Sequence, residues 1–459
     1  MSSAVSSDHR PWWKELHAGH WFVFTIAALG WLFDCLDQQL FILARTPAIE
    51  TLLKLQGITD SSTVKEYAGY ATAIFIMGWA TGGLIFGSLG DRFGRAKMLA
   101  MTVLLYSLFT GLSAFSRNVT DFCIFRFITG LGVGGVFGLA VALVADSLPD
   151  RARPSALGVL QALSAVGNIT AGLVAMFVAS LNFTSLENWR FMFLVGAVPA
   201  FLCVFIQFRL KEPEKWVKAR EQGRVSGVKL GSYFQLFGDA RWRKSALLGM
   251  LLCVAGVIGL WGIGFFSPEL VGDVITKMLK ERGLSEAEMK TAKMTWIGIN
   301  SIMQNIGAFL GMLVFTRFAT QFGRKPIFAL AYLAAFASTF AVFKFLSQPW
   351  HIFTLIPLMG FCQLAIFAGF AIYLPELFPT SLRSTGTSFC YNVGRFLAAS
   401  GPFTLGLLQA KLAAGAGAAN PDAKLEAFRN ACCWLSCVFL LGLVALIFLP
   451  ETKDRPLPE

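Results

Sequence analysis

The sequence predicts an all-α integral membrane protein with twelve transmembrane helices in two pseudo-symmetric six-helix bundles. Composition, the spacing of apolar runs and an internal repeat predict it. Of 459 residues, 55% are hydrophobic and 14% are charged, against about a quarter charged in water-soluble domains. A soluble core cannot hide that much apolar surface. Runs of roughly 20 apolar residues instead match the length that crosses ~30 Å of hydrocarbon.

Twelve such runs lie near 21–44, 67–89, 98–116, 120–145, 155–181, 190–209, 246–268, 294–316, 326–346, 351–375, 384–410 and 428–449. The longest polar stretch falls between the sixth and seventh. It divides the chain into an N-terminal bundle (1–209), a cytoplasmic linker with short amphipathic helices (210–245) and a C-terminal bundle (246–459). With the N-terminus inside, the inner segments hold 23 Lys/Arg and the outer ones 14. That asymmetry predicts a plasma (inner) membrane protein with both termini cytoplasmic. The formal charge of +12 thereby reads as a topology signal facing membrane lipid, not as a nucleic-acid surface. No cleavable signal peptide is expected at the polar, aromatic start. The nine cysteines sit mostly in apolar runs at no metal-ligand spacing, so neither a metal nor a cofactor is expected.

The repeat has a nearly constant offset. "GRAK" begins at Gly94 and "GRKP" at Gly323, 229 residues on. "DSLPDRAR" (Asp146 to Arg153) recurs as "ELFPTSLR" (Glu376 to Arg383) at 230. Pro213 of "KEPEKW" and Pro450 of "LPETKD" lie 237 apart. Duplicated halves with a site between them near the midplane characterise secondary transporters.

These motifs carry a specific resemblance. "GSLGDRFGRAK", "RFITGLGVGG", "DSLPDRAR", "PEKW" and "PETK" resemble signatures of the major facilitator superfamily, including its sugar-porter branch. "PTSLRSTGTSFCYNVGRFLAASGP" and "DCLD" look most like its aromatic-acid:proton symporters, with Cys35 where that family has glycine. The resemblance implies a substrate-clamping role for Arg395 and a monomer. It also exposes departures. In the second half Thr320 and Gln321 replace Asp91 and Arg92. The sugar porters' Gln pair falls on Ala255 and Gly256, and their Trp on Ala371. Gln161 matches a sugar-porter position, and Asn168 stands where a second Gln is common.

Four ionisable residues fall inside spans: Asp34, Asp37, Arg126 and Arg395. Such residues are costly in a bilayer and face a partner or a cavity. At ~1.5 Å rise per residue, Asp34 and Asp37 lie about 20 and 24 Å from the inner face, Arg126 about 21 Å and Arg395 about 16 Å. The acids and Arg126 therefore share a level, and Arg395 of the other half lies near it. Three residues apart, the aspartates share a helix face. Their mutual repulsion, opposed by an arginine, suits a proton carrier. One aspartate permanently paired with Arg126 is the competing reading, and it leaves the other acid unexplained. Trp31 repeats as Trp261, but the counterpart of Asp34 is Gly264, so the acids belong to one half only. His9, His17, His20 and His351 all lie at or before membrane edges.

Asp91, Arg92, Gly94 and Arg95, together with Asp146, Arg153, Glu376 and Arg383, are expected to gate the cytoplasmic side. Gly130, Gly132, Gly134 and Gly135 are expected to allow close helix packing. Trp31, Phe265, Phe266 and Tyr391 are candidates for an aromatic pocket, with packing as the competing role. The outer segment near 269–293 is expected to be a charged helical loop, and 413–424 a flexible one. Together these features predict proton-coupled symport of a small organic acid by alternating access. A sugar or polyol transporter and a non-transporting sensor are the alternatives. No nucleophile–base pair points to an enzyme.

Overall fold

The structure is a computed structural model that describes residues 11–180, 187–207, 209–227, 229–281, 285–398 and 421–458. Among these residues it is helical, with no strand. The first part of the chain forms α1 (Ala18–Lys54), α2 (Ser61–Phe93), α3 (Arg95–Ser113), α4 (Val119–Ser147), α5 (Arg153–Ser180) and α6 (Asn188–Gln207). Two short helices follow, α7 (Glu214–Ser226) and α8 (Tyr233–Gly238), inside the expected linker. The remainder forms α9 (Ala240–Val257), α10 (Ser267–Glu281), α11 (Glu286–Phe322), α12 (Arg324–Phe345), α13 (Leu355–Tyr373), α14 (Arg383–Ala398), α15 (Pro421–Ser436) and α16 (Phe439–Phe448).

Ten helical stretches among the described residues are long and apolar enough to cross a membrane. The sixth expected span corresponds to the 20 residues of α6. The eleventh begins as α14 and then leaves the described residues at 399, as does the loop expected at 413–424 up to 420.

Local sequence accounts for the helix boundaries. The Asp60 side chain accepts from Thr63 N (2.9 Å) to start α2. Asn118 Oδ1 accepts from Asp121 N (2.8 Å) to start α4. Ser285 and Glu288 form a reciprocal capping box on α11, which satisfies donors that a helix start leaves bare. The segment expected as an outer loop is therefore largely the end of α10 and the first turns of α11. Likewise, α1 runs to Lys54, beyond the apolar run that ends near 44. Apolar length marks the part of a helix in lipid, while caps mark where the helix stops.

Within the first part, α2 packs on α4, α3 on α4 and α6, and α1 on α4, α5 and α6. Within the second, α11 packs on α13, α12 on α13 and α16, and α9 on α14 and α16. The two sets meet where α5 lies on α11 and α13 and where α14 lies on α2 and α4. The span containing α9 is irregular in its middle. A π-helical turn (Ile258–Ile263) and a 3-10 turn (Gly264–Phe266) lead into α10. Such a break at depth is tolerated only against protein or a cavity.

Candidate functional site

The four ionisable residues in the spans are each at most 3% exposed. Asp37 belongs with Arg126. Thr110 Oγ1 donates to Asp37 Oδ1 (2.7 Å) and accepts from Arg126 Nη2 (3.3 Å). Arg126 also donates to Ser113 Oγ, to Thr129 Oγ1 (3.0 Å) and to the Phe109 carbonyl (3.2 Å). Its guanidinium faces the ring of Phe193 at 4.7 Å. A hydroxyl thus joins acid and base, with no direct ion pair between them among the described residues.

Asp34 turns to the other side. Its Oδ2 accepts from Gln38 Nε2 one turn on (2.8 Å), and its Oδ1 has no hydrogen-bond partner. It interacts electrostatically with Asp37 and with Arg395 of α14. The Arg395 guanidinium lies 3.9 Å from the ring centre of Trp79 on α2 and 4.2 Å from that of Tyr391. One nitrogen donates to the Tyr391 carbonyl (3.2 Å) and to Asn392 Oδ1 (3.0 Å), while Nε has no partner.

Aromatic rings extend this sandwich in both directions. Tyr391 stacks on Phe137 at 3.8 Å, Phe137 meets Trp31 at 5.3 Å, and Trp79 meets Trp261 edge-on at 5.6 Å. The buried Trp31 Nε1 has no acceptor. Trp31 and Tyr391 therefore lie beside the charged cluster. Phe266 instead packs on Phe428. The side chain of Phe265 lies outside the described residues.

Amides complete the surroundings. Gln161 is buried with Oε1 unpartnered. Asn168 Nδ2 donates to Asn305 Oδ1 (3.0 Å), which links α5 to α11. Gln363 donates to Thr339 Oγ1 (2.7 Å). Its Oε1 fills the space beside Gly264, where a Cβ would come within 2.6 Å. The position that repeats Asp34 is thus taken by an amide from a different helix. At Gly256 a Cβ would meet the Phe370 ring at 2.8 Å, so aromatic bulk occupies this sugar-porter position.

The expected gating residues lie at the end of the helices that carries the Gly94 and Gly323 turns. Both glycines adopt the same positive-φ bend, at 115° and 105°, which L side chains rarely adopt. Asp146 pairs with Arg95 and with Arg383 of the other set of helices. Arg95 also reaches Asp91 (3.1 Å) and the Thr380 carbonyl (2.7 Å). Asp91 accepts from the Ser384 and Thr385 amides (3.2 and 2.8 Å) and from Thr385 Oγ1 (2.8 Å), capping α14. The first acid and the last arginine within each motif do not pair with each other. Arg153 binds Asp150 (2.6 Å), and Glu376 binds Arg324 through both oxygens (2.9 and 3.2 Å). Arg92 is exposed and makes no ion pair among the described residues.

Sequence reasoning missed Thr110, Trp79 and two capping glutamates. Glu212 accepts from the amides of Arg95, Ala96 and Lys97, and Glu451 from those of Arg324 and Lys325. Matching Pro213 to Pro450 aligns Glu214 with Glu451, whereas geometry equates Glu212 with Glu451. The signal available was a glutamate facing each "GR" helix start.

Comparison with known proteins matches this chain to a family. The profile described as Major Facilitator Superfamily matches residues 27–402. A probable 4-methylmuconolactone transporter of Cupriavidus pinatubonensis is 27% identical over 92% of this chain and 89% of its own length. A cis,cis-muconate transport protein of Acinetobacter baylyi is 27% identical over 94% and 95%. Among solved structures, the proton:xylose symporter XylE bound to 6-bromo-6-deoxy-D-glucose superposes with a TM-score of 0.70 at 20% identity, covering 95% of this chain and 97% of that one.

Proposed function

We propose that this chain, which belongs to the Major Facilitator Superfamily and is a multi-pass membrane transporter, carries a small planar carboxylate together with a proton. The observation that carries this reading is the Arg395 sandwich. A guanidinium between the rings of Trp79 and Tyr391 keeps Nε unpartnered, and its planar fork matches a carboxylate. Flanking rings suit a flat, conjugated acid. The muconate and methylmuconolactone relatives support that class.

Charge balance supplies the coupling. Asp34, Asp37, Arg126 and Arg395 sum to zero when both acids are ionised. A carboxylate arriving at Arg395 leaves one uncompensated negative charge in a low dielectric, which is costly. A proton on an aspartate restores neutrality. Each aspartate keeps one unpartnered oxygen; we assign the proton to Asp34, which lies within electrostatic range of Arg395 and is not tied to Arg126. Asp37, tied through Thr110 to Arg126, holds that arginine in place. Gln161 and Asn168 border the substrate, and Trp31 lends its unpartnered N–H.

In this reading twelve spans form two bundles, 1–209 and 246–459, joined by 210–245. Both termini are cytoplasmic in the plasma (inner) membrane, and the protein acts as a monomer. The bundles rock about the central site by alternating access. The latch at Asp91, Arg95, Asp146 and Arg383 closes the cytoplasmic side, and Arg153, Glu376 and the Gly94 turn support it. Arg92 serves only as a solvated positive-inside charge.

A sugar or polyol is the second reading, favoured by the unpartnered Gln161 Oε1. A thermal-shift screen of the purified protein against carboxylates, polyols and amines separates them. Stabilisation by planar carboxylates, lost in Arg395→Ala and weakened in Arg395→Lys, is the expected result. Stabilisation by polyols alone, or equal affinity in all three proteins, contradicts the clamp.

A further inference from the structure

The carboxylate cap in the latch is built on one side only. Asp91 caps α14 and ties it to α2. The repeat places Thr320 where the matching carboxylate would cap α5, and Gln321 follows it. Pro154 stands opposite Ser384 in the repeat and has no N–H to offer. No side chain among the described residues accepts from the Ser155 amide, the counterpart of Thr385.

A cavity of about 960 Å³ opens at this place, bordered by Thr320, Gln321, Pro154 and Ser155. One turn along α5, α11 crosses it closely, with Thr316 seated on Gly158. Five arginines line the cavity against two aspartates. Arg151 is taken up by Glu15 (2.7 Å), and Arg324 by Glu376 (2.9 Å). Arg153 is 3% exposed and gives Nη1 to Asp150, but its Nε has no partner. Arg317 and Arg455 make no ion pair among the described residues. An excess of positive charge, a buried unpartnered guanidinium nitrogen and an uncapped helix start thus meet in one cavity, where the other half has a carboxylate.

We propose that this cavity binds a phosphate group, which stands in for the missing carboxylate and joins α5 to α11 and the C-terminal segment. Guanidinium groups and a helix start are the usual donors to phosphate oxygens. A phosphate bridging helices from both sets favours the form with this end closed. A soluble phosphate and the phosphate of a lipid headgroup at the membrane edge share this chemistry. The inference is independent of which substrate the central site carries.

The test measures thermal unfolding by tryptophan fluorescence of the full chain. One arm titrates inorganic phosphate into delipidated protein in detergent, with chloride holding ionic strength constant. The other compares nanodiscs of phosphatidylglycerol with nanodiscs of an uncharged glycolipid. Saturable stabilisation in the first arm assigns a soluble phosphate, and stabilisation only in the second assigns a headgroup. In either case Arg317→Gln should weaken the response at least tenfold. Thr320→Asp should raise the basal Tm and abolish the response. Should Thr320→Asp not fold, Arg455→Gln on the exposed tail serves in its place, with the same expected weakening. No response in either arm, or an undiminished response in Arg317→Gln together with Arg455→Gln or Thr320→Asp, overturns the proposal.

Discussion

Asp34 and Asp37 are three residues apart on one helix, yet they belong to different networks. Asp37 reaches Arg126 through Thr110, and Asp34 lies toward Arg395 across the interface. The sequence showed that both acids share a level with Arg126, because rise per residue fixes depth. It could not show rotation about the helix axis, which decides the partners. Thr110 was illegible for the same reason: one hydroxyl among many becomes informative only when seen between two charges. The account predicts different defects. In proteoliposomes Asp34→Asn should lose at least tenfold of uptake driven by an inward proton gradient, yet still bind substrate. Asp37→Asn should chiefly lower thermal stability, by about 1–3 kcal/mol, because it leaves Arg126 buried without its acid. Unchanged gradient-driven uptake in both variants would exclude these aspartates as proton carriers.

Element boundaries were legible where apolar length and caps coincide, and displaced where they do not, as at the end of α1 and the start of α11. The α2–α4 crossing was legible in kind from the glycines of α4. A Cβ at Gly134 would fall 2.0 Å from the Trp79 carbonyl, and Trp79 is also the ring on Arg395. Gly134→Leu should therefore destabilise by at least ~1–3 kcal/mol and weaken carboxylate binding as well. A thermal melt and a binding titration read the two effects separately.

The α12 cap makes a pH prediction. Partial burial pushes the Glu451 carboxyl up, but bonds from the amides of Arg324, Lys325, Lys453 and Thr452 outweigh it. Glu451 therefore titrates below the ordinary carboxylate range. A depressed folded-state value contributes stability that is fully present above the unfolded-state value, about 4.3. It is lost as pH falls through the folded-state value. Compared with wild type, Glu451→Gln should be less stable at pH 7, by about 1 kcal/mol, and the gap should narrow as pH falls below about 4. A gap that persists or widens in acid would contradict this assignment.

At the scale of the whole molecule, the repeat was legible because each half carries the same turn, cap and charged motif. Its asymmetry was legible as Thr320 and Gln321 at the positions of Asp91 and Arg92. The direction of pairing was not, since Asp146 joins Arg383 across the interface and not Arg153 within its own motif. Breaking that cross-pair should loosen the closed end. In Asp146→Asn, a cysteine-labelling probe placed along α14 near this end should react several-fold faster than in the parent.

The central claim is that one proton moves with each carboxylate through this site. The most direct test is pyranine fluorescence inside proteoliposomes, clamped at zero membrane potential, when the carboxylate that best stabilises the protein is added outside. The account predicts lumenal acidification that depends on the substrate, saturates, and is absent in Asp34→Asn liposomes that still bind it. Saturable uptake without acidification, or equal acidification in Asp34→Asn, would contradict it.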